Sequence, residues 1–292
     1  MRARLALTGV IIVLGAAMLT TACTAAPAPA LTALPEGVAV DVYQTRLDYS
    51  ERQLEISISN ESATDVTITH LEFASPAFES AVSYARLPTT IAVGRTIDFR
   101  VDLAAPDCAA TDVTPSVRVE FEFADRVGVA TVEPDDRLGQ LAAISTADCL
   151  VSDVASVARI EIADVQLGRA SVAGRDAALL HLEIEPTGRV GSLVLHQLED
   201  TVLLFLLDPS TGLATESLTL DLSVDASSEP TTVTFAVVPS RCDQHSVAED
   251  KRGTFFPVTV TTDHRTGTLF VAAGERLRGE LFAFLADSCG WG

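Results

Sequence analysis

The 292-residue chain has a single lysine, Lys251, and a single tryptophan, Trp291. Lys and Arg together number 20 against 40 Asp and Glu, which leaves a formal net charge of -20. A field of that sign repels nucleic-acid phosphates and anionic lipid headgroups, so no nucleic-acid partner is expected. Catalytic signatures are missing as well. There is no Gly-x-Ser-x-Gly elbow and no phosphate-cradling glycine loop. The position three before Lys251 is Ala248, which excludes a Ser-x-x-Lys dyad. Lys251-Arg252-Gly253-Thr254 superficially matches the Lys-Thr-Gly of penicillin-binding enzymes, but its partner motifs are absent. No Cys-x-x-Cys occurs, which argues against a thiolate zinc site. The expectation is a protein that is not an enzyme and carries no cofactor.

What is present begins at the N-terminus. Arg2 and Arg4 precede an uncharged apolar stretch from Leu5 to Leu19, and Thr20-Thr21-Ala22-Cys23 follows. A basic start, a short apolar core and a small-residue cleavage site mark a secretory signal. The apolar run is short for a membrane-spanning helix, which needs roughly 20 residues. The segment resembles a bacterial lipoprotein signal, whose box is usually Leu, a small residue, Ala or Gly, and the cysteine to be acylated. Here Leu19 stands one place upstream of the usual Leu position, which Thr20 occupies. The resemblance implies cleavage before Cys23 and lipidation of Cys23, placing the protein on the outer face of the cell membrane. The alternatives are ordinary cleavage with secretion, or an uncleaved N-terminal anchor. Residues 24–37 are rich in Ala and Pro and read as an extended, semi-rigid tether. Loss of Arg2 and Arg4 with the signal would take the net charge to about -22.

The other four cysteines form an even set in an exported chain, which favours disulfides. Four cysteines allow three pairings. Cys108–Cys149 with Cys242–Cys289 is preferred because each bridge then closes a loop inside one of two similar copies. Loops of this length contribute about 4 kcal/mol each in the chain-entropy model.

The copies align through several features in the same order. Pro106-Asp107-Cys108 corresponds to Pro239-Ser240-Arg241-Cys242. The alternating run Val117, Val119, Phe121, Phe123 corresponds to Phe256, Val258, Val260. Turns follow at Asp125-Arg126-Val127-Gly128 and His264-Arg265-Thr266-Gly267, where each glycine is expected to supply a positive φ. Asp136-Arg137-Leu138 matches Glu275-Arg276-Leu277, and each copy closes on Ala-Asp near its last cysteine. Further period-two runs occur at Leu54, Ile56, Ile58 and at Leu218, Leu220, Leu222, Val224, as expected of half-buried strands. Helical periodicity is scarce, with one short helix expected over residues 136–144.

About seven strands per copy, with frequent turn signals, suit an antiparallel sandwich with Greek-key connections. The expected organisation is a signal peptide over residues 1–23, the tether over 24–37, one β-sandwich domain over 38–152 and a second over 153–292. The join is expected as a short link within residues 150–156.

This layout is similar to exported lipoproteins of high-GC Gram-positive bacteria that carry tandem immunoglobulin-like domains, and residues 242–254 are similar to a segment of such uncharacterised proteins. The resemblance implies all-β, tandem immunoglobulin-like sandwiches and no known activity. Trp291 lies beyond the last cysteine rather than between a pair, and the cysteines sit late in each copy. A bridge between the second and sixth strands, as in antibody domains, is therefore not expected; a loop-stapling bridge is.

Two polar clusters invite a site. Asp243, His245 and Glu249 combine a histidine with carboxylates, a set that suits divalent ions. A capped turn with solvated charges is the plainer reading. Glu133, Asp135 and Asp136 lack the alternating ligand set of a calcium loop. His70, His181 and His196 fall in expected strands and His264 in a turn, without ligand-spaced partners. The functional expectation is a membrane-anchored interaction or structural module of the cell envelope. Its partners would be the membrane, through the lipid on Cys23, and an unidentified envelope protein or wall component. The alternatives are a solute- or metal-binding lipoprotein serving a transporter, and an envelope hydrolase without a recognisable motif.

Overall fold

A computed structural model describes residues 29–45, 47–249 and 252–291. Cys23 and Lys251 therefore lie outside the described residues. The first unit contains β1 (Val38–Tyr43), α1 (Asp48–Glu51), β2 (Gln53–Asn60), β3 (Val66–Ala74), β4 (Val82–Ser83), β5 (Thr89–Ile91), β6 (Arg95–Asp102), β7 (Ser116–Phe123), β8 (Arg126–Val132) and β9 (Asp135–Asp136). Helix α2 (Gln140–Val157) follows. The second unit contains β10 (Ala158–Ile162), β11 (Gly168–Val172), β12 (Arg175–Pro186), β13 (Ser192–Glu199), β14 (Leu204–Leu207), β15 (Ala214–Thr215), β16 (Ser217–Asp225) and β17 (Thr231–Pro239). It ends with α3 (Gln244–Glu249), β18 (Phe255–Thr262), β19 (Thr266–Ala272) and α4 (Glu275–Cys289).

The two units repeat one wiring. In the first, β6-β2-β1 form one sheet and β3-β7-β8 form the facing one. In the second, β17-β12-β10 and β13-β18-β19 do the same. The first, second and fifth principal strands thus share one layer, and the third, sixth and seventh share the other. This is the immunoglobulin-like arrangement, and the fold is two tandem all-β sandwiches of that class. Alternation drives it: Val117, Val119 and Phe121 are buried, whereas Arg118, Glu120 and Glu122 face outward. The facing layers close one core around Phe73, Phe99 and Phe121 and another around Phe235, Phe256 and Phe284.

Both disulfides join the expected cysteines. Cys108–Cys149 has a Cα separation of 5.5 Å and Cys242–Cys289 one of 5.3 Å. Each ties the loop before the sixth principal strand to the helix that follows the seventh, and neither links the second strand to the sixth.

Helix content departs from the expectation. Helix α2 has 18 residues and runs through the expected link at 150–156, so the boundary between residues 152 and 153 falls inside it. Its two ends serve different cores. Leu141 and Ile144 pack in the first, and Leu150, Val154 and Val157 in the second. At about 100° per residue, Leu150 lies roughly opposite Leu141 around the helix axis. The units are thus joined by a continuous helix with both sides buried. Helix α4 has 15 residues and buries Leu277, Leu281, Phe284 and Leu285, a regular amphipathic stripe. It stops at Gly290, whose φ of 67° is the left-handed C-terminal turn, with Trp291 N–H donating to the Ala286 carbonyl.

The turn glycines also act differently from expectation. In the β7–β8 turn, Ala124 and Asp125 take the positive φ values, 49° and 60°, and Gly128 is ordinary strand. Gly128 faces Phe121 across the ladder, and a Cβ there would sit 2.3 Å from the Phe121 ring. Space, not backbone freedom, requires this glycine. At Gly267 a Cβ would meet Leu150 at 2.9 Å, a contact between the second unit and α2.

Candidate interaction site

The helix that joins the units also floors a cleft between them. Ala143, Ala147, Val151 and Ala155 recur every fourth position of α2 and line one face of a hollow of about 650 Å³. Tyr49, just after the start of α1, stands on the first-unit side, and Phe255 and Phe270, from β18 and β19, on the other. Tyr49, Val151 and Phe270 are 43%, 51% and 46% exposed, so large apolar groups of both units meet in one place. The Arg252 guanidinium lies 4.1 Å from the Phe270 ring centre and 5.8 Å from that of Tyr49. A cation over aromatic faces is attracted by their quadrupoles.

Polar contacts hold the first-unit wall in place. Arg52 pairs with Asp148 of α2 at 2.7 Å and donates to the Ala104 carbonyl at 2.8 Å. Gln140 Nε2 donates to the Tyr49 hydroxyl at 2.9 Å, and Gln140 Oε1 accepts the Gln44 backbone N–H at 2.8 Å. Gln44, which also lines the cleft, is 6% exposed, and its Oε1 accepts no hydrogen bond among the described residues. Such an orphaned acceptor calls for an explanation.

A second hollow, of about 670 Å³, lies against α4 and the segment after Cys242, with Thr254, Arg278, Phe282 and Trp291 on its walls. Trp291 Nε1 donates to the Cys242 carbonyl at 3.2 Å, which folds the chain end onto the bridge.

Two of the carboxylates singled out as possible ligands, Asp243 and Asp136, accept backbone N–H groups at helix starts. Asp243 Oδ1 accepts the His245 backbone N–H at 3.0 Å, and the Val247 N–H donates to the Asp243 carbonyl, as at a helix start. The Glu249 side chain lies outside what the structure describes. Asp136 accepts the N–H groups of Gln140 and Leu141 at 2.9 Å each, capping α2. Asp135 and Asp136 pair with β1. His181 Nδ1 and His196 Nε2 bond the hydroxyls of Thr234 and Thr261 across neighbouring strands. Among the described residues no group of three or more His, Cys, Asp or Glu side chains is arranged to hold a metal ion. Ser192 Oγ donates to Asp263 and so holds that carboxyl below the usual carboxylate range.

The cleft was not found from the sequence. Its exposed groups come from four separated segments. The one local signal, small residues at every fourth position of α2, required recognising that helix first.

No protein-family model matches the chain, and no curated protein matches it. Among solved structures it is similar to a biofilm-associated protein, BSP domain, with 8% identity and a TM-score of 0.19. That alignment covers 85% of this chain and 60% of the other, so the chain spans less than two thirds of that structure. It is also similar to the CsuC-CsuE chaperone–tip adhesion subunit pre-assembly complex from archaic chaperone-usher Csu pili of Acinetobacter baumannii. There the identity is 8%, the TM-score 0.18, and the coverage 81% of this chain and 100% of that one. Likeness at these TM-scores carries no argument about what this chain does.

Proposed function

We propose that the chain is an extracytoplasmic lipoprotein, anchored through Cys23, whose paired sandwiches form an interaction module of the cell envelope. The cleft along α2 is its binding face, and an envelope protein or wall component is its partner. One observation carries the reading: Tyr49, Val151 and Phe270 are exposed together between units that a continuous helix holds in register. Aromatic side chains and arginine are enriched at protein interfaces, and clustered exposed apolar groups mark binding surfaces. The two disulfides support an oxidising compartment, and the Met1–Cys23 segment supports export to it.

The test is a photoreactive residue at Val151, illuminated in intact envelopes, with a control at Leu213, which is 59% exposed in the second unit. A discrete adduct at Val151 alone is expected. No adduct, or the same adducts at both positions, counts against the reading.

A second reading has its own observation. A cleft of about 650 Å³ with a buried acceptor, Gln44 Oε1, matches the size and polarity of small-ligand sites. In that case the cleft holds a solute rather than a macromolecule, and the Val151 probe yields no macromolecular adduct.

A further inference from the structure

From Pro29 on, the segment expected as an extended, semi-rigid tether is strapped to the first sandwich. The Leu31 N–H donates to the Val127 carbonyl and the Val129 N–H donates to the Leu31 carbonyl, both at 2.9 Å. This makes a parallel bridge opposite Gly128. Arg126 Nη2 donates to the Pro29 carbonyl at 2.8 Å. Leu31 and Leu34 pack against the first core.

The direction of the strap orients the molecule. Because the bridge is parallel to β8, the strap runs from Pro29, held by Arg126 beside the β7–β8 turn, to Leu31 opposite Gly128. Strand register puts two more turns at that end. Asn60 lies opposite both Val38 and Arg95, and Val66 opposite both Phe123 and Ile91. The turns at 61–65, 92–94 and 124–125 therefore cluster at the end of the sandwich where Arg126 holds Pro29. The other end of the same sandwich holds Asp102 and Ser116, the Cys108 loop between them, and the contacts to the second unit through Tyr49 and Arg265.

We infer that the strap fixes which end of the molecule meets the lipid surface: the turn end at 61–65, 92–94 and 124–125 is held at the membrane. The second unit and the interdomain cleft are carried on the far side. The inference rests on the reading of Cys23 as the anchor. Reach decides it. From Cys23 to Pro29 the chain spans at most about 20 Å, whereas from Cys23 to Val38 an unstrapped chain would span about 50 Å. A strand the length of β2 is about 27 Å long. The strapped leash is thus shorter than the sandwich it holds, and the unstrapped one would let the sandwich turn over.

The test uses the full-length chain in membranes of the cell that makes it. A fluorophore is placed at Val93→Cys, in the turn end, or at Leu213→Cys, in the second unit, and energy transfer to a labelled lipid is measured. Transfer at least twofold stronger from position 93 is expected, with the difference shrinking when the strap is released by Leu31→Gly with Arg126→Ala. Hydrogen exchange on the same protein is expected to show protected Leu31 and Val129 amides. Equal transfer from the two positions in protein whose Cys23 carries lipid overturns the inference and leaves the anchoring intact. A Leu31 amide exchanging at the free-chain rate overturns the strap. An N-terminal peptide without lipid at Cys23 overturns the anchoring, and the inference with it.

Discussion

The guanidinium of Arg265, in the β18–β19 turn, pairs with the carboxylate of Asp153 on α2. Its Nη2 also donates to the Cys108 carbonyl at 3.4 Å. One side chain of the second unit thereby touches both the connecting helix and the stapled loop of the first. The two partners are 25% and 16% exposed, between the surface and buried regimes. Arg265→Ala is expected to cost about 1–2 kcal/mol in denaturant unfolding, more than a surface pair and less than a fully buried one. It is also expected to open α2 to limited proteolysis. Unchanged stability with unchanged cleavage would remove this contact as a determinant of the interdomain angle.

Gly128→Ala places a Cβ against the Phe121 ring, which is 1% exposed and cannot swing into solvent. Overpacking of this kind costs about 1–3 kcal/mol. Phe121→Leu in the same chain should recover part of that loss, so the two changes are non-additive in a double-mutant cycle. Additive losses would mean the glycine serves the backbone after all.

Tyr43 is pushed up to about 12, first by burial and then by its hydrogen bond and proximity to Asp98. Its folded pKa lies above the unfolded value of about 10, so the folded state holds the phenolic proton more tightly. The stability this supplies is full below about pH 10 and is lost as pH rises from there through about 12. Ultraviolet titration of tyrosinate should show a step near pH 12 that Tyr43→Phe removes. Absence of that step, or its persistence in Tyr43→Phe, would contradict the environment described for Tyr43.

Cys149 is 3% exposed, and its bridge to Cys108 pins the start of the interdomain stretch of α2 to the first unit. The double replacement of Cys108 and Cys149 by serine is expected to cost about 2–5 kcal/mol. The change should appear in the oxidised protein and vanish when wild type and variant are compared in reductant.

The strands were legible because period-two alternation is a local signal, and the bridges because an even set of four cysteines falls at matching places in two copies. Val117, Val119 and Phe121 declare a buried face within five residues, and the same order of features recurs around Val258. Helix α2 was hidden for a physical reason. Leu141 and Leu150 point to opposite sides, so no single apolar stripe forms, and Ser145, Thr146, Ser152 and Val151 are indifferent helix formers. Helix α4 carries a regular stripe at Leu277, Leu281, Phe284 and Leu285 that periodicity alone could have revealed. The glycine roles were misassigned because sequence shows a turn but not which of its residues bears the positive φ. The cleft was invisible because Tyr49, Val151 and Phe270 become neighbours only once both sandwiches and α2 are in place.

The proposal that two sulfur-clamped sandwiches are carried outside the cytoplasm is tested most directly by peptide mass mapping of unreduced protein extracted from its own membranes. The account predicts a peptide beginning at a lipid-bearing Cys23, one bridged pair containing Cys108 and Cys149, and another containing Cys242 and Cys289. A bridge running from one unit to the other, four free thiols, or a mature chain still beginning at Met1 would contradict it.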